Sequence, residues 1–323
     1  MRVICISPNL NPVGGVAKIL DYTVHSSLLG YETIFAYDDA SVGKKILMTK
    51  PYFKKNKDSI TFVRFSDLKP QDNDIIFYSL PLHHKMVEKK YEFHNHNLIH
   101  IIQNVRHSNI FFEGGYSVEL LGFEQTRISI TEQVYNAINN WVIDSKNHFF
   151  VPHGFDFDFF KKKPLKRKSS KVVAYNSFKG DLGKKIRNAF YKAGGKAKFI
   201  EIPKGVSWKK LKSIYHQSDI FLATPLAEEG LYLPAMEAMA AGNLVITPNA
   251  IGNLFYCDFG INCLEVRLNN IDNYVRVLFD QLNVEETDHV FNIRQKAYDK
   301  VKNLGLEKER EGFDKVLKRF VES

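Results

Sequence analysis

The sequence predicts an α/β protein of two Rossmann-like, doubly wound domains that face a cleft. Its 323 residues exceed the roughly 250–300 at which a single core stops growing. Short apolar segments alternate with segments of helical periodicity in two successive series, the order typical of parallel sheets covered by helices. A polar segment with a proline, residues 161–170, separates the two series, so we expect domains at 1–160 and 161–304.

The first series contains apolar runs that predict strands. The helical pattern after the first run spans residues 16–29 and stops at Gly30. Ser129-Ile-Thr-Glu132 has the spacing of a capping box, which predicts a helix from there to Val142. The predicted strands are residues 3–7, 33–37, 60–63, 75–78, 98–102, 127–130 and 148–151.

The second series repeats the alternation of strand and helix. Its predicted strands are residues 172–175, 199–202, 220–223, 244–247 and 263–266. Its predicted helices are residues 183–193, 208–216, 234–241, 271–282, 290–303 and 307–321. Ligands of doubly wound sheets bind beyond the carboxyl ends of the strands, so we expect the functional residues in the loops there.

The positive charge of the chain is concentrated in one segment. The formal net charge is +9, and residues 161–212 contain 18 Lys/Arg against two acidic residues. Such a segment raises the local concentration of polyanions such as nucleotides, lipid phosphate or nucleic acid, although a solvated lysine-rich surface has the same composition.

Cysteine usage and hydropathy bear on the compartment. The three cysteines have no paired spacing, which favours a reducing cytoplasm. No apolar run approaches the ~20 residues that a membrane span needs, and the first run is too short for a signal peptide. We therefore expect a cytoplasmic protein, for which peripheral contact with the inner membrane face stays open.

The strongest motif combines two glutamates with a helix start. Glu229-Gly-Leu-Tyr-Leu-Pro-Ala-Met-Glu237 follows the apolar run at 220–223, so Glu229 falls in a loop and Glu237 in the first turns of a helix. Pro234 suits a first helical turn, whose free N–H groups and partial positive charge bind diphosphates. Carboxylates beside it are good acceptors for sugar and ribose hydroxyls.

Two turns with glycine add to this motif. Gly14 and Gly15 lie between the first predicted strand and the first helix, where they let the backbone approach a diphosphate. Val151-Pro152-His153-Gly154-Phe155-Asp156 stands where the first domain should end.

Together the three elements resemble the retaining GT-B glycosyltransferases, especially family 4, also called group 1. The resemblance implies that Glu229 is catalytic and contacts the donor sugar, and that Glu237 contacts the ribose of the nucleotide. It also implies a last helix, at about 305–323, that packs back on the first domain. The family's Gly-Phe-Gly stands here as Gly230, Leu231 and Tyr232, so a tyrosine replaces the second glycine.

The donor site implied by this resemblance draws on both domains. An Arg/Lys pair after the first strand of the second domain usually holds the diphosphate, and Lys179 and Lys184 lie in that stretch. We expect the base near Ile202. The donor-binding candidates are Gly14, Gly15, Lys179, Lys184, Ile202, Gly230, Leu231, Tyr232, Leu233 and Glu237.

Acceptor-side candidates follow the predicted strand at 98–102. Asn104 and Arg106 are expected to face the acceptor, as is His153 in the turn before the linker. The family often has a histidine in the loop after this strand, which makes His107 a second catalytic candidate.

Neighbouring histidines raise the question of a metal site. His83-His84 and His94-x-His96 lack carboxylates or cysteines at ligand spacing, so we interpret them as solvated loop residues. We expect no metal and no cofactor, with a UDP- or GDP-sugar as substrate.

The predicted function is transfer of a hexose or pentose from a nucleotide sugar to an acceptor hydroxyl with retention. The acceptor would be a glycan or lipid-linked saccharide, in the synthesis of a bacterial surface glycan such as lipopolysaccharide or capsule. The basic segment also fits a phage-type enzyme that glycosylates a hydroxylated DNA base. A nucleotide-sugar epimerase or binding protein of the same fold is a third possibility, whereas the lack of G-x-G-x-x-G disfavours a dehydrogenase.

Overall fold

The chain folds into two compact α/β units. In a computed structural model, which describes residues 1–7, 14–37, 48–90 and 97–322, the first unit comprises Met1–Gly154 together with Leu306–Ser323. The second comprises Phe155–Gly305. Each unit contains a parallel sheet with helices packed on it, which confirms the predicted class of two Rossmann-like domains.

The first unit is built on the larger of the two sheets. Its seven described strands are β1 Arg2–Ser7, β2 Glu32–Tyr37, β3 Ile60–Arg64, β4 Ile75–Tyr78, β5 Leu98–Ile102, β6 Thr126–Ser129 and β7 His148–Phe150. They are parallel and follow the order β3-β2-β1-β4-β5-β6-β7. Each lies where an apolar run predicts it, and the central strands β4, β5 and β6 are buried throughout, because strands covered on both faces have near-continuous apolar sequence.

The helices of the first unit follow its strands. Those described are α1 Gly14–Leu28, α2 Pro51–Asn56, α3 Pro81–Lys90, α4 Tyr116–Leu121, α5 Glu132–Asn139 and, from the end of the chain, α12 Leu306–Glu322. No sequence pattern predicts α2, α3 or α4, because α2 and α4 have only six residues each and α3 is largely polar.

The start of α5 differs from the expected capping box. Thr131 is the N-cap, and its hydroxyl accepts a hydrogen bond from the Val134 N–H (3.2 Å). Ser129 still belongs to β6, and its hydroxyl lies 2.8 Å from Nε2 of His148. A cap at Ser129 is therefore wrong, because the strand continues to that residue, and the helix ends at Asn139 rather than at 142.

The second unit is built on a smaller parallel sheet. Its described strands are β8 Val172–Asn176, β9 Lys198–Ile202, β10 Ile220–Leu222, β11 Leu244–Pro248 and β12 Leu264–Val266, in the order β12-β11-β10-β8-β9. Its described helices are α6 Phe157–Phe160, α7 Leu182–Lys192, α8 Trp208–Gln217, α9 Leu233–Ala240, α10 Ile271–Gln281 and α11 Asp288–Lys302. Val173 of β8 packs in one core with Ile186 of α7, whereas Ala174 packs in another with Ile214 of α8. Helices therefore cover both faces of this sheet.

The boundary between the units precedes residues 161–170. That segment packs within the second unit, where the Arg167 guanidinium donates to the carbonyl oxygens of Asp219 (2.7 Å) and Gly242 (3.0 Å). The Lys162 N–H donates to the last turn of α9 (2.9 Å). The chain passes between the units at residues 154–155 and 305–306, and the polar segment forms part of the surface of the second unit.

A buried ion network holds α12 in the first unit. Glu309 of α12 has no exposed surface (0 %), and its carboxylate accepts hydrogen bonds from Lys18 Nζ of α1 (2.8 Å) and from the Gly154 N–H (3.0 Å). Nε2 of His25 lies 2.9 Å from the same carboxylate, and Lys18 also pairs with Asp21 (2.9 Å). Because buried charges are tolerated only when paired and hydrogen-bonded, the network ties α12 to α1 and to the residues before the boundary.

We expect Glu309→Gln to lower the free energy of unfolding of the first unit by about 3–5 kcal/mol, because Lys18 keeps a buried charge without one of its partners. Urea unfolding of Trp208→Phe protein measures this, since Trp141 then reports on the first unit alone. Glu311→Gln, on an exposed position of the same helix, is the control and should change stability by less than about 0.5 kcal/mol. Equal losses in the two variants would contradict the role of the network.

Two further features concern the compartment. Cys5, Cys257 and Cys263 are buried free thiols. Within the described residues, no helix has the length and apolar character that crossing a bilayer requires.

Candidate functional site

The candidate site of the second unit lies where its strand order reverses. From β8 the chain proceeds to β9 on one side and then to β10 on the other, so the carboxyl ends of β8 and β10 are neighbours. Ligands of open α/β sheets bind at such a switch point. The loops that begin here contain Lys179 after β8 and Glu229 after β10.

Lys179 and Glu229 form an ion pair at this switch point. Lys179 Nζ donates to Oε1 of Glu229, and the Leu226 N–H donates to the same oxygen (3.3 Å). Glu229 is 7 % exposed, so its carboxylate is largely shielded from water while the lysine remains partly accessible. Two side chains separated by 50 residues in sequence are thus brought together by the order of the strands.

Tyr232 connects the same two loops from beneath. Its side chain is fully buried, and its hydroxyl oxygen accepts a hydrogen bond from the Asn176 amide at the end of β8 and one from the Thr224 N–H (3.4 Å). Burial raises the pKa of Tyr232 above its ordinary value. Lys179 Nζ lies 5.6 Å from the centre of the ring. The residue that replaces a glycine of the family motif therefore points inward and braces the loops.

The turn at Glu229 and Gly230 is supported from a second direction. Gly252 lies in a 3-10 helix, Ile251–Phe255, and a Cβ atom on it would be 2.5 Å from the Glu229 carbonyl oxygen and the Gly230 carbonyl carbon. Only glycine permits this close approach. Sequence reasoning missed Gly252 because nothing in its local pattern shows which backbone it contacts.

Glu237 lies in the second turn of α9 and is 8 % exposed. Its Oε2 accepts a hydrogen bond from the hydroxyl of Tyr215 on α8 (2.9 Å). Leu231 and Leu233 are half-buried and pack against the adjacent core. No side chain caps α9, whose N-cap is Tyr232; Pro234 has no N–H and the Ala235 N–H donates to the Tyr232 carbonyl oxygen (3.2 Å), so the Leu233 N–H is the first-turn donor nearest Glu229 in the chain.

Two other donor candidates of this unit have different surroundings. Lys184 pairs with Glu201 of β9 (3.1 Å), which also accepts a hydrogen bond from the Tyr175 hydroxyl (3.1 Å). Hydrogen bonding by Ser177, followed by Lys184 and Tyr175, lowers the pKa of Glu201. The side chain of Ile202 is 2 % exposed and packs in the core. The exposed residues 203–205 follow it, so they and not the Ile202 side chain form the surface at the predicted base position.

The first unit has its own switch point, between β1 and β4. Gly14 and Gly15 begin α1, the first described element after β1. Nε2 of Gln103 donates to the Gly15 carbonyl oxygen (3.1 Å) and to the hydroxyl of Ser79 (2.7 Å), which follows β4. Gln103, which follows β5, thus joins the end of β4 to the start of α1, and its contact with Gly15 spans 88 residues that sequence spacing does not reveal.

The acceptor-side candidates after β5 occupy a short 3-10 helix, Val105–Ser108. The Asn104 side chain caps it by accepting from the Arg106 N–H (3.0 Å), and the exposed Arg106 guanidinium lies 4.8 Å from the centre of the Phe112 ring. His107 is 3 % exposed and lies 3.1 Å from the hydroxyl of Ser117. Burial, aided by Arg106, lowers the pKa of His107 to about 3, so this histidine is a neutral residue of the interior.

Further histidines are buried near the carboxyl edge of this sheet. His153 is 2 % exposed, and neither ring nitrogen has a hydrogen-bond partner; burial, with Lys18 and Lys50 nearby, holds its pKa well below the ordinary value. His83 and His84 lie on α3 and are 2 % and 1 % exposed, so their interpretation as solvated loop residues is wrong. The sequence of α3, PLHHKMVEKK, has too few apolar residues at helical spacing to predict a helix.

The metal question concerns the same histidines. His94 and His96 lie outside the described residues. Among residues 1–7, 14–37, 48–90 and 97–322, no group of three or more His, Cys, Asp or Glu side chains is arranged to hold a metal ion.

Comparison with known proteins finds one family that matches part of the chain. Residues 163–296 match the family described as glycosyl transferases group 1. No curated protein sequence matches the chain.

Solved structures match most or all of the chain. HepE from Anabaena, crystallised with UDP, has a TM-score of 0.70 at 12 % identity, and the match covers 99 % of this chain and 100 % of HepE. Sucrose-phosphate synthase from Thermosynechococcus elongatus has a TM-score of 0.69 at 12 % identity, with 100 % of both chains covered. TarM from S. aureus has a TM-score of 0.60 at 16 % identity, with 77 % of this chain and 56 % of TarM covered. The chain therefore has the GT-B fold, and its residues 163–296 are similar to the family described as glycosyl transferases group 1.

Proposed function

We propose that this protein transfers a sugar from a nucleotide sugar to an acceptor hydroxyl with retention of anomeric configuration. The observation that carries the proposal is the shielded Lys179–Glu229 pair at the switch point, beside the uncapped start of α9. HepE has been crystallised with UDP-glucose and with UDP and glucose, which makes a uridine donor the first to test.

Each donor-site residue has a role that its chemistry suits. Glu229 accepts hydrogen bonds from hydroxyls of the donor sugar, and Glu237 accepts them from the ribose. Lys179 exchanges its partner Glu229 for the diphosphate, which the Leu233 N–H and the partial positive charge at the start of α9 also attract. Lys184 is assigned to the same diphosphate on the resemblance of its position to the family pattern, and Gly14 and Gly15 stay donor-binding candidates of the first unit on the same ground.

The reaction breaks the bond between the anomeric carbon and the diphosphate oxygen, and forms a bond from that carbon to the acceptor oxygen on the same face. Negative charge grows on the leaving diphosphate, where fixed cations and backbone N–H groups stabilise it. The acceptor proton passes to the departing phosphate oxygen, so the step needs no strongly basic side chain. This agrees with a buried, neutral His107 that supports the acceptor loop from within.

The first candidate acceptor is a glycan or lipid-linked saccharide of a bacterial surface polymer, modified in the cytoplasm or at the inner membrane face. The buried free thiols support a reducing compartment. The exposed Arg106 and the partly exposed Asn104 are the polar groups we assign to this acceptor. His153, with its two unpaired ring nitrogens, is assigned a supporting role beneath it.

The second candidate acceptor is DNA, which one observation favours. Residues 182–217 contain ten Lys/Arg and one acidic residue, and they form α7, β9 and α8 at the edge of the described sheet. Most of these cations are exposed. Phosphate contacts dominate DNA affinity and depend strongly on salt. If DNA is the acceptor, its affinity should fall about 10³-fold or more between 50 and 200 mM salt; transfer to undecaprenyl-linked saccharides without DNA binding would favour the glycan.

A donor screen tests the proposed function. UDP- and GDP-sugars are added singly, and the thermal midpoint is recorded, since a bound donor stabilises the fold by about 2.7 kcal/mol at a hundredfold excess over Kd. Mass spectrometry of mixtures with acceptor then separates transfer from epimerisation, which needs no acceptor. Absence of any shift and of any product with all donors would contradict the proposal.

A further inference from the structure

Buried tyrosine hydroxyls support the donor loop and α9 from within the second unit. The hydroxyl of Tyr274 donates to the Ala223 carbonyl oxygen (2.7 Å), and that of Tyr256 donates to the Tyr232 carbonyl oxygen (2.9 Å). The hydroxyl of Tyr215 differs from these two, because it donates to a carboxylate, Oε2 of Glu237 (2.9 Å). A hydrogen bond to a charged group is about twice as strong as one to a neutral group.

Tyr215 is held rigidly in this position. It is 1 % exposed, and its ring packs edge-on against Phe160 (5.8 Å between ring centres) and Phe221 (5.6 Å). Its carbonyl oxygen accepts a hydrogen bond from the Asn243 amide (2.9 Å). Burial and the charge of Glu237 raise the pKa of Tyr215 well above its ordinary value, so the phenol stays a donor throughout the pH range in which the protein is folded.

This hydrogen bond fixes how Glu237 can meet a ligand. An unrestrained glutamate side chain has three rotatable bonds, and ordering it on binding costs conformational entropy. This cost is smaller when the side chain is already ordered before the ligand binds. An ionised carboxylate only accepts hydrogen bonds, so the group that binds it must donate. The 2′- and 3′-hydroxyls of a ribose are two adjacent donors, whereas a 2′-deoxyribose has lost one of them.

We propose that Tyr215 is a positioning residue that orients Glu237 toward the ribose hydroxyls and so makes the site select ribonucleotides over 2′-deoxyribonucleotides. The inference rests on the proposed function, because it takes Glu237 as the ribose contact. A site built to bind a hydroxyl discriminates strongly against the analogue that lacks it, since its polar group is left unpaired. Precision in the carboxylate position therefore determines how well the two sugars are told apart.

Calorimetric binding of nucleoside diphosphates tests this without knowledge of the acceptor. UDP is compared with 2′-deoxy-UDP, and GDP with 2′-deoxy-GDP, on wild type and Tyr215→Phe. We expect the ribo form to bind the wild type about 100-fold more tightly, and Tyr215→Phe to reduce this ratio about tenfold. Tyr191→Phe is the control, since it deletes a phenol hydroxyl of the same unit that donates to the Ala197 carbonyl oxygen (2.9 Å) outside the donor loop, and its ratio should equal that of wild type.

A second background separates positioning from a general effect on folding. In Glu237→Gln protein, adding Tyr215→Phe should leave the ratio unchanged, because the group that Tyr215 orients is already lost. The proposal is overturned if wild type prefers the ribo form and Tyr215→Phe keeps the full preference, or if the wild type binds both forms equally. Failure of the wild type to bind any nucleotide is a different result, which would contradict the proposed function itself.

Discussion

We expect the Lys179→Met variant to lose about 10²- to 10³-fold in kcat with its preferred nucleotide sugar, the typical effect of removing one preorganised group that stabilises a developing negative charge. The Lys179 side chain is 28 % exposed, and its amine pairs with the carboxylate of Glu229. Without it, the leaving diphosphate loses a cation in the transition state, and Glu229 loses the positive charge that stabilises it in a shielded position.

Steady-state release of the nucleoside diphosphate measures this effect. Lys185→Met is the matched control, because Lys185 lies on an exposed position of α7 and pairs there with Asp181. Its kcat should stay within about threefold of wild type, as expected when a surface ion pair is lost. A Lys179→Met enzyme that folds normally and keeps wild-type kcat would show that another cation holds the diphosphate.

Acid should unfold the first unit well before the second. Burial lowers the pKa of His83 to about 4 and that of His107 to about 3, from an ordinary value of 6.5. Below pH 6.5 the unfolded chain binds protons that the folded unit cannot accept, so stability is intact above 6.5 and falls as pH drops toward the folded values. Each such histidine costs about 1.4 kcal/mol per pH unit, which gives about 4 kcal/mol for the two at pH 5.

Other histidines act in the same direction. The pKa values of His100 and His153 are also held well below the ordinary value, chiefly by burial. Nine of the eleven histidines belong to the first unit, so the second has little of this sensitivity. Urea unfolding of Trp208→Phe and Trp141→Phe proteins at pH 7.5 and 5 reports on the first and second units respectively.

A variant identifies the source of the acid sensitivity. The ring nitrogens of His83 have no hydrogen-bond partner, so His83→Leu removes a titrating group without breaking a hydrogen bond. It should reduce the loss of stability between pH 7.5 and 5 by about 2 kcal/mol. Equal stability of the first unit at the two pH values in wild type would contradict the buried, neutral state of these histidines.

Much of the fold is predictable from the sequence because the central strands of both sheets are buried on both faces. Their apolar runs stand out whatever their neighbours are, and the helices with broad apolar faces, such as α7, α8 and α10, are recognised by periodicity. Short or polar helices such as α2 and α3 are held by tertiary contacts, and no local pattern marks them. The same limit explains the cap of α5, where the end of β6 decides which residue starts the helix.

The motif of the candidate site is predictable from the sequence, whereas the residues that hold the motif in place are not. Glu229 and Glu237 stand out by their spacing around a helix start. Tyr215 and Gly252 reach the same place from elements whose position depends on strand order and on contacts across 22 or more residues. The position of His107 after a strand suggests a side chain at the site, but the side chain is buried beside the Ser117 hydroxyl. A polar residue after a strand can point into the core when a hydrogen-bonding group is present there.

The most direct measurement is a crystal structure of the protein with UDP-glucose, or with the donor that the screen identifies. We predict that Oε atoms of Glu229 lie about 2.7–3.0 Å from hydroxyls of the sugar and that Lys179 Nζ has moved from Glu229 to a diphosphate oxygen. A nucleotide sugar bound away from the carboxyl ends of β8 and β10, with the Lys179–Glu229 pair intact, would contradict the proposed donor site.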